Sequence, residues 1–150
     1  MKKTINYSWQ EFDSDISTLA RNIFISGWTP DVVVGIKRGG LVPAVKLSHW
    51  FEVPLKTVTY QLRDGDDTQM NFWDMTILPK DTQILLVDDI CDSGDTLTHL
   101  YDHLTNEMNY SNIKTAVLWH NVSQKFDCDY SAREFSREED QRWIIFPWEF

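Results

Sequence analysis

Positive charge is in short supply. Fourteen lysines and arginines face 23 aspartates and glutamates, a formal net charge of −9. Surfaces that track nucleic-acid phosphates are basic, so no nucleic-acid partner is expected. A small anionic ligand stays possible, because it needs only local donors and a metal ion. Cysteine is scarcer: Cys91 and Cys128 stand far apart, in no metal-binding spacing. Disulfide scaffolds are denser, so a reducing, cytoplasmic setting is expected. No apolar run approaches a membrane span, and none follows Met1-Lys2-Lys3 as in a signal peptide, so no membrane partner is expected. There is no internal repeat, low-complexity tract or linker. What remains is 150 residues, 42% hydrophobic and with seven tryptophans, which suits a single packed domain over residues 1–150.

Ser8-Trp9-Gln10-Glu11 reads as a capping box, and Trp9, Phe12, Ile16, Leu19 and Ile23 then recur at helical spacing. The helix ends near Ser26-Gly27. Val32–Ile36 is a buried strand, broken by Lys37-Arg38-Gly39-Gly40. Leu41–Phe51 is a helix, with Pro43 tolerated in its first turn. Leu55–Tyr60, Ile84–Val87 and Thr115–Trp119 are further strands, Thr96–Met108 a helix, and Trp143–Phe146 a strand-like tail. Residues 63–71 are polar and read as a mobile loop. Strands alternating with helices predict an α/β fold with a mainly parallel sheet, whose ligands bind at the carboxyl ends of the strands.

One stretch raises a question of charge. In ILLVDDICDSGDTL, residues 84–97, an apolar run meets Asp88 and Asp89, and Asp92 and Asp95 follow around Ser93, Gly94 and Thr96. Carboxylates this close repel, and burying them is costly unless a cation or ligand hydroxyls join them. Asp92–Thr96 joins a strand to a helix. Gly94 permits a tight turn whose N–H groups converge, and Ser93 and Thr96 add hydroxyls, which suits a phosphate monoester. A plainer reading makes Ser93 and Thr96 helix caps. Asp88 and Asp89 suit a hydroxylated ligand and a divalent cation. Lys37-Arg38-Gly39-Gly40 adds a cationic loop that a phosphate can approach closely.

The segment 84–97 resembles the 5-phosphoribosyl diphosphate motif of the type I phosphoribosyltransferases. VVVGIKRGGLVPA and the terminal RWIIFPWEF extend the resemblance to small bacterial 6-oxopurine phosphoribosyltransferases. It implies that family's fold with a small C-terminal hood, a Mg²⁺ cofactor, and a homodimer or homotetramer. The implied reaction is purine salvage: phosphoribosyl diphosphate and a purine base give a nucleoside monophosphate and diphosphate. By resemblance, Ser93, Gly94, Asp95 and Thr96, with Asp92, hold the 5-phosphate. Asp88 and Asp89 hold the ribose hydroxyls and Mg²⁺. Lys37, Arg38, Gly39 and Gly40 form the diphosphate loop, with a cis Lys37–Arg38 peptide. Asp92 handles the proton at purine N7, Trp143 stacks on the base, and the Ile144 backbone meets its 2-position. Asp88, Asp89 and Asp92 are thus the catalytic residues. Carboxylates beside the anomeric carbon would stabilise the positive charge that develops as its bond breaks.

Two positions depart from the family. Asp95 stands where relatives carry Gly, Lys or Arg, and is expected to point outward. His120 stands where they carry a Lys that donates to the purine 6-oxo group; a His tautomer could donate there, or accept from adenine. Guanine and hypoxanthine are expected ahead of adenine, and xanthine to fare worse than with a Lys-bearing relative. His99 and His103 have metal-ligand spacing but no third ligand, and Cys91 reads as filler between Asp89 and Asp92. Two other readings compete: a non-catalytic regulator that binds RNA or senses nucleotides, and a phosphohydrolase with an aspartyl nucleophile. The net charge opposes RNA, and Asp-Asp-x-x-Asp after a middle strand lacks the phosphohydrolase pattern.

Overall fold

The computed structural model describes residues 3–62, 68–72, 75 and 77–149. A six-stranded sheet runs in the order β4-β3-β2-β5-β6-β7. It comprises β2 (Val32–Lys37), β3 (Leu55–Leu62), β4 (Thr68–Asn71), β5 (Gln83–Cys91), β6 (Asn112–Asn121) and β7 (Tyr130–Phe135). All neighbours are parallel except β4, which pairs antiparallel with β3. A second, two-stranded parallel sheet joins β1 (Thr4–Asn6) to β8 (Trp143–Ile145). The expected α/β architecture, with a small C-terminal hood, is present.

The two faces of β5 explain its sequence. Leu85 and Val87 pack under α1 (Trp9–Ile25) and α2 (Leu41–Phe51), against Phe12, Leu19, Ala44 and Leu47. Ile84 and Leu86 pack under α3 (Asp95–Asp102), against Leu97 and Leu100. A strand covered on both sides has no polar face, hence the unbroken apolar run. Truncating one such side chain, as in Leu85→Ala, costs about 2–5 kcal/mol.

Helix α1 starts where its capping box is written. Ser8 Oγ accepts from Glu11 N at 3.0 Å, and Glu11 Oε2 accepts from Ser8 N at 2.8 Å. The hood docks on this helix through aromatic rings: Trp148 meets Phe12 at 5.3 Å and Trp9 at 5.8 Å.

Several boundaries differ from those expected. The helix expected to reach Met108 is α-helical only to Asp102, and His103–Glu107 widens into a π turn. Thr105 Oγ1 takes the Tyr101 carbonyl at 2.8 Å, competing with the helical bond there. Of the loop expected over 63–71, residues 68–71 form β4, and 63–67 lie outside the described residues. β1 and β7 were not anticipated. β5 runs on through Asp88 and Asp89, because β6 pairs with it as far as Cys91↔His120.

Candidate active site

β2 pairs with β5 only as far as Gly35↔Val87. Beyond that, the turn 37–40 takes its place beside Asp88 and Asp89. The Lys37–Arg38 peptide in this turn is cis. A methyl group on Gly40 would lie 2.5 Å from the Val87 carbonyl oxygen and 2.7 Å from that of Ile36. One on Gly39 would overlap the Asp89 carboxylate. Glycine at both positions lets the turn press against the acid pair.

Asp88 and Asp89 are recessed but partly open to solvent. Asp88 Oδ1 accepts from Asp89 N at 2.9 Å. Withdrawal from water, and then the charge of Asp89, raises Asp88 well above the usual carboxylate range. Asp89 is raised as well, chiefly by burial. Among the described residues neither carboxylate has an ion-pair partner. Two close, unneutralised carboxylates form an oxygen-only donor set that fits a hard divalent cation such as Mg²⁺.

The chain then turns into α3. Gly94 has φ 84 and caps the helix, and a side chain there would run into Gln124. Asp88, Asp89, Asp92, Ser93, Gly94 and Thr96 line a hollow of about 190 Å³ at this helix start. Ser93 Oγ accepts from Asp95 N at 3.2 Å, a local turn bond; the cap itself is Gly94, with no side-chain hydrogen bond, so the reading of Ser93 and Thr96 as helix caps is not met. Asp95 is exposed and does not line the hollow. A wider hollow of about 580 Å³ lies between Arg38, Gly39, Asp89 and Trp148. Asp89 belongs to the walls of both.

Asp92 is clasped from the far side. Arg137 Nε and Nη2 donate to its two carboxylate oxygens, each at 2.9 Å. Another Arg137 nitrogen donates to the Arg142 carbonyl, just before Trp143. Asn121 Nδ2 donates to the Asp92 carbonyl at 2.8 Å, and Asn121 Oδ1 accepts from Arg137 N at 3.0 Å. One guanidinium therefore ties Asp92 to the strand carrying Trp143, whose side chain is half exposed, and Ile144, which is buried. Neither Arg137 nor Asn121 was singled out in the sequence. Arg137 lies in the mixed-charge run SREEDQR, and its only signal was that Asp92 would want a cation.

His120 does not join this group. Alternation along β6 points it away from Asn121, and its ring is 6% exposed. Its Nε2 lies 3.2 Å from the Phe126 carbonyl oxygen, and its neighbours are Cys91 and Cys128. That placement gives no support to the expectation that this ring faces a base. His99 and His103 are separately engaged: His99 Nδ1 meets Tyr60 OH at 2.6 Å, and His103 stacks on Phe72.

A small-residue loop at a helix start, beside an acid pair and under a glycine turn, defines a class: an α/β protein that binds a phosphorylated, hydroxyl-bearing ligand at its strand ends. Residues 7–150 match the family model described as the phosphoribosyl transferase domain, and the chain belongs to that family. Xanthine-guanine phosphoribosyltransferase of Cereibacter sphaeroides is 31% identical, over 99% of this chain and 88% of that protein. The crystal structure of a purine phosphoribosyltransferase from Pyrococcus horikoshii Ot3 is similar at a TM-score of 0.85. It is 30% identical and matches 98% of this chain and 95% of its own. A xanthine-guanine-hypoxanthine phosphoribosyltransferase of Helicobacter pylori shares the fold, at 22% identity and a TM-score of 0.81.

Proposed function

We propose that the chain is a purine-salvage enzyme that transfers the 5-phosphoribosyl group of phosphoribosyl diphosphate to a 6-oxopurine. The observation that carries this reading is the convergence on Asp89 of the 93–96 loop, the acid pair and the 37–40 turn. The names of the relatives support a purine acceptor.

In this reading the N–H groups and hydroxyls of 93–96 hold the 5-phosphate. Arg38 and the backbone of Gly39 and Gly40 receive the diphosphate, with Lys37 adding positive charge. Asp88 and Asp89 bind the ribose hydroxyls and would hold Mg²⁺, which would supply positive charge to offset that of the leaving diphosphate. The bond from the anomeric carbon to diphosphate breaks, and its bond to the purine nitrogen forms. The carboxylates face the positive charge that grows on the ribose between these events. Asp92, fixed in plane by Arg137, takes the proton that the base must lose. Trp143 stacks on the base, and the Ile144 backbone meets its 2-position.

With His120 turned inward, we assign to Arg137 the cationic donor on the base side. It suits the O6 acceptor of guanine, hypoxanthine or xanthine, whereas the 6-amino group of adenine would face a donor. Exposed Phe24, Ile25, Val45 and Trp50 offer an apolar face for a homodimer or homotetramer. Among the described residues no helix is long and apolar enough to cross a membrane, and small anionic substrates suit a cytoplasmic enzyme.

The test is direct. The protein is incubated with phosphoribosyl diphosphate, Mg²⁺ and each nucleobase in turn, and nucleotide and diphosphate are measured. Nucleotide from 6-oxopurines, lost on chelation with EDTA, is the expected result. Product from adenine alone, or none from any base, would refute the proposal.

A further inference from the structure

In the sequence Cys91 and Cys128 stand in no metal-binding spacing and His120 is expected at the base, yet the fold brings the three to one point. Cys91 and His120 are register partners at the ends of β5 and β6, so their side chains leave the sheet on the same face. Cys128 returns to them along the turn after β6. Its neighbour Asp129 is locked to β6: Asp129 Oδ2 accepts from Thr115 N at 2.8 Å, and Asp129 N donates to Thr115 Oγ1 at 3.1 Å. Both sulfurs and a ring nitrogen of His120 lie within 4.8 Å of one another.

We propose that Cys91, His120 and Cys128 bind one thiophilic divalent cation, Zn²⁺ in the first instance. Two thiolates and an imidazole are a zinc donor set, and a tetrahedral ion needs only one further ligand, which water supplies. With bonds of about 2.0–2.3 Å to the ion, the three donors need close only slightly from their present spacing. The surroundings are those of a metal site. The Phe126 carbonyl, 3.2 Å from His120 Nε2, helps to fix the orientation of the ring. Gln124 Nε2 reaches Cys91 Sγ at 3.5 Å. The site is chemically distinct from the Asp88–Asp89 pair, which offers only oxygen. An ion here would pin the 122–128 turn to the loop at Gly94, which Gln124 and Phe126 already touch. It acts as a clamp and takes no part in the transfer.

The full-length protein is stripped with chelator under reducing conditions, then titrated with Zn²⁺ against a chromophoric chelator. In parallel, Co²⁺ is added and thiolate-to-cobalt charge-transfer bands are sought. One equivalent of zinc per chain, the cobalt bands, and a raised melting temperature are expected. Cys128→Ser and Cys91→Ser should each abolish the bands. Gln124→Ala should weaken zinc binding about 10–100-fold. Asp88→Asn should bind zinc as the wild type does, which separates this site from the one in the proposed reaction. Less than half an equivalent bound by reduced wild type would overturn the proposal. So would zinc binding unchanged in both cysteine variants, each shown by its melting curve to be folded. A Cys91–Cys128 disulfide whose reduction restores no zinc uptake would also overturn it.

Discussion

Gly39 and Gly40 are adjacent, yet an added methyl group should do opposite things at the two positions. At Gly40 the methyl carbon would lie 2.5 Å from the Val87 oxygen and 2.7 Å from the Ile36 oxygen, and 3.0 Å from Asp88 Cα. Carbon–oxygen contacts are comfortable at about 3.3 Å and beyond. Each carbonyl would therefore have to move more than half an ångström, and both are main chain of paired strands. Backbone conformation offers no complication, since Gly40 sits at φ −74, ψ −10, where alanine is at ease. Overpacking of this kind costs about 1–3 kcal/mol. In a chain of this size each kcal/mol lowers the melting temperature by about 2–4 °C. Gly40→Ala should therefore melt some 2–12 °C below wild type. At Gly39 the obstacle is the end of a side chain, the Asp89 carboxylate. That group can swing aside, so Gly39→Ala should melt within about 2 °C of wild type. The swing removes Asp89 from its place beside Asp88, and kcat/KM for phosphoribosyl diphosphate should fall at least about tenfold, equivalent to about 1.4 kcal/mol. Scanning calorimetry and steady-state kinetics on the two variants test both halves. A Gly40→Ala protein that melts with wild type, or a Gly39→Ala protein with full turnover, would refute the reasoning.

Three further outcomes are expected. Asp92→Asn should cut kcat about 10²–10⁴-fold while phosphoribosyl diphosphate still binds, as read by calorimetric titration; wild-type turnover would remove Asp92 from the chemistry. Asp88 has a folded pKa raised above its unfolded one, so its contribution to stability is fully present below about pH 4 and is lost as pH rises through the raised value. The stability of Asp88→Asn relative to metal-free wild type should therefore grow from pH 4 to 8, and a difference that stays constant would contradict the raised pKa. His120→Lys should lower the melting temperature by placing a charge among buried thiols, yet leave the ratio of xanthine to hypoxanthine turnover unchanged; a raised ratio would return His120 to the base.

What could be read in the sequence was whatever local chemistry dictates. The capping box named the start of α1, and Ile84–Val87 announced a strand with helices on both faces. The loop 92–96 and the turn 37–40 were visible because small residues after strands have few other uses. What stayed hidden depends on register and on long-range pairing. β7 is the sheet-edge segment YSAREF, with a charged pair in place of a buried run. The direction of His120 follows from where alternation along β6 begins, and its neighbour Asn121 is the residue that reaches Asp92. Arg137 meets Asp92 from 45 residues away, and no local pattern encodes that approach. Cys91 and Cys128 lie on different segments, so spacing rules for metal ligands passed them by.

The β1–β8 pair has a consequence for folding. Its strands are three residues each, and Thr4 pairs with Trp143 across almost the whole sequence. Closing so long a loop carries an entropic penalty that grows with the logarithm of its length, and few bonds offset it. Tyr7 N to the Ile145 oxygen, at 3.0 Å, and Trp143 N to the Lys3 oxygen, at 2.9 Å, are among them. This element should form late in folding and open first. Its amides should take up deuterium through local fluctuations, while those of β5, bonded to a strand on each side, wait for global unfolding. The strand that carries Trp143 can then loosen and close again with β5 and the start of α3 still in place.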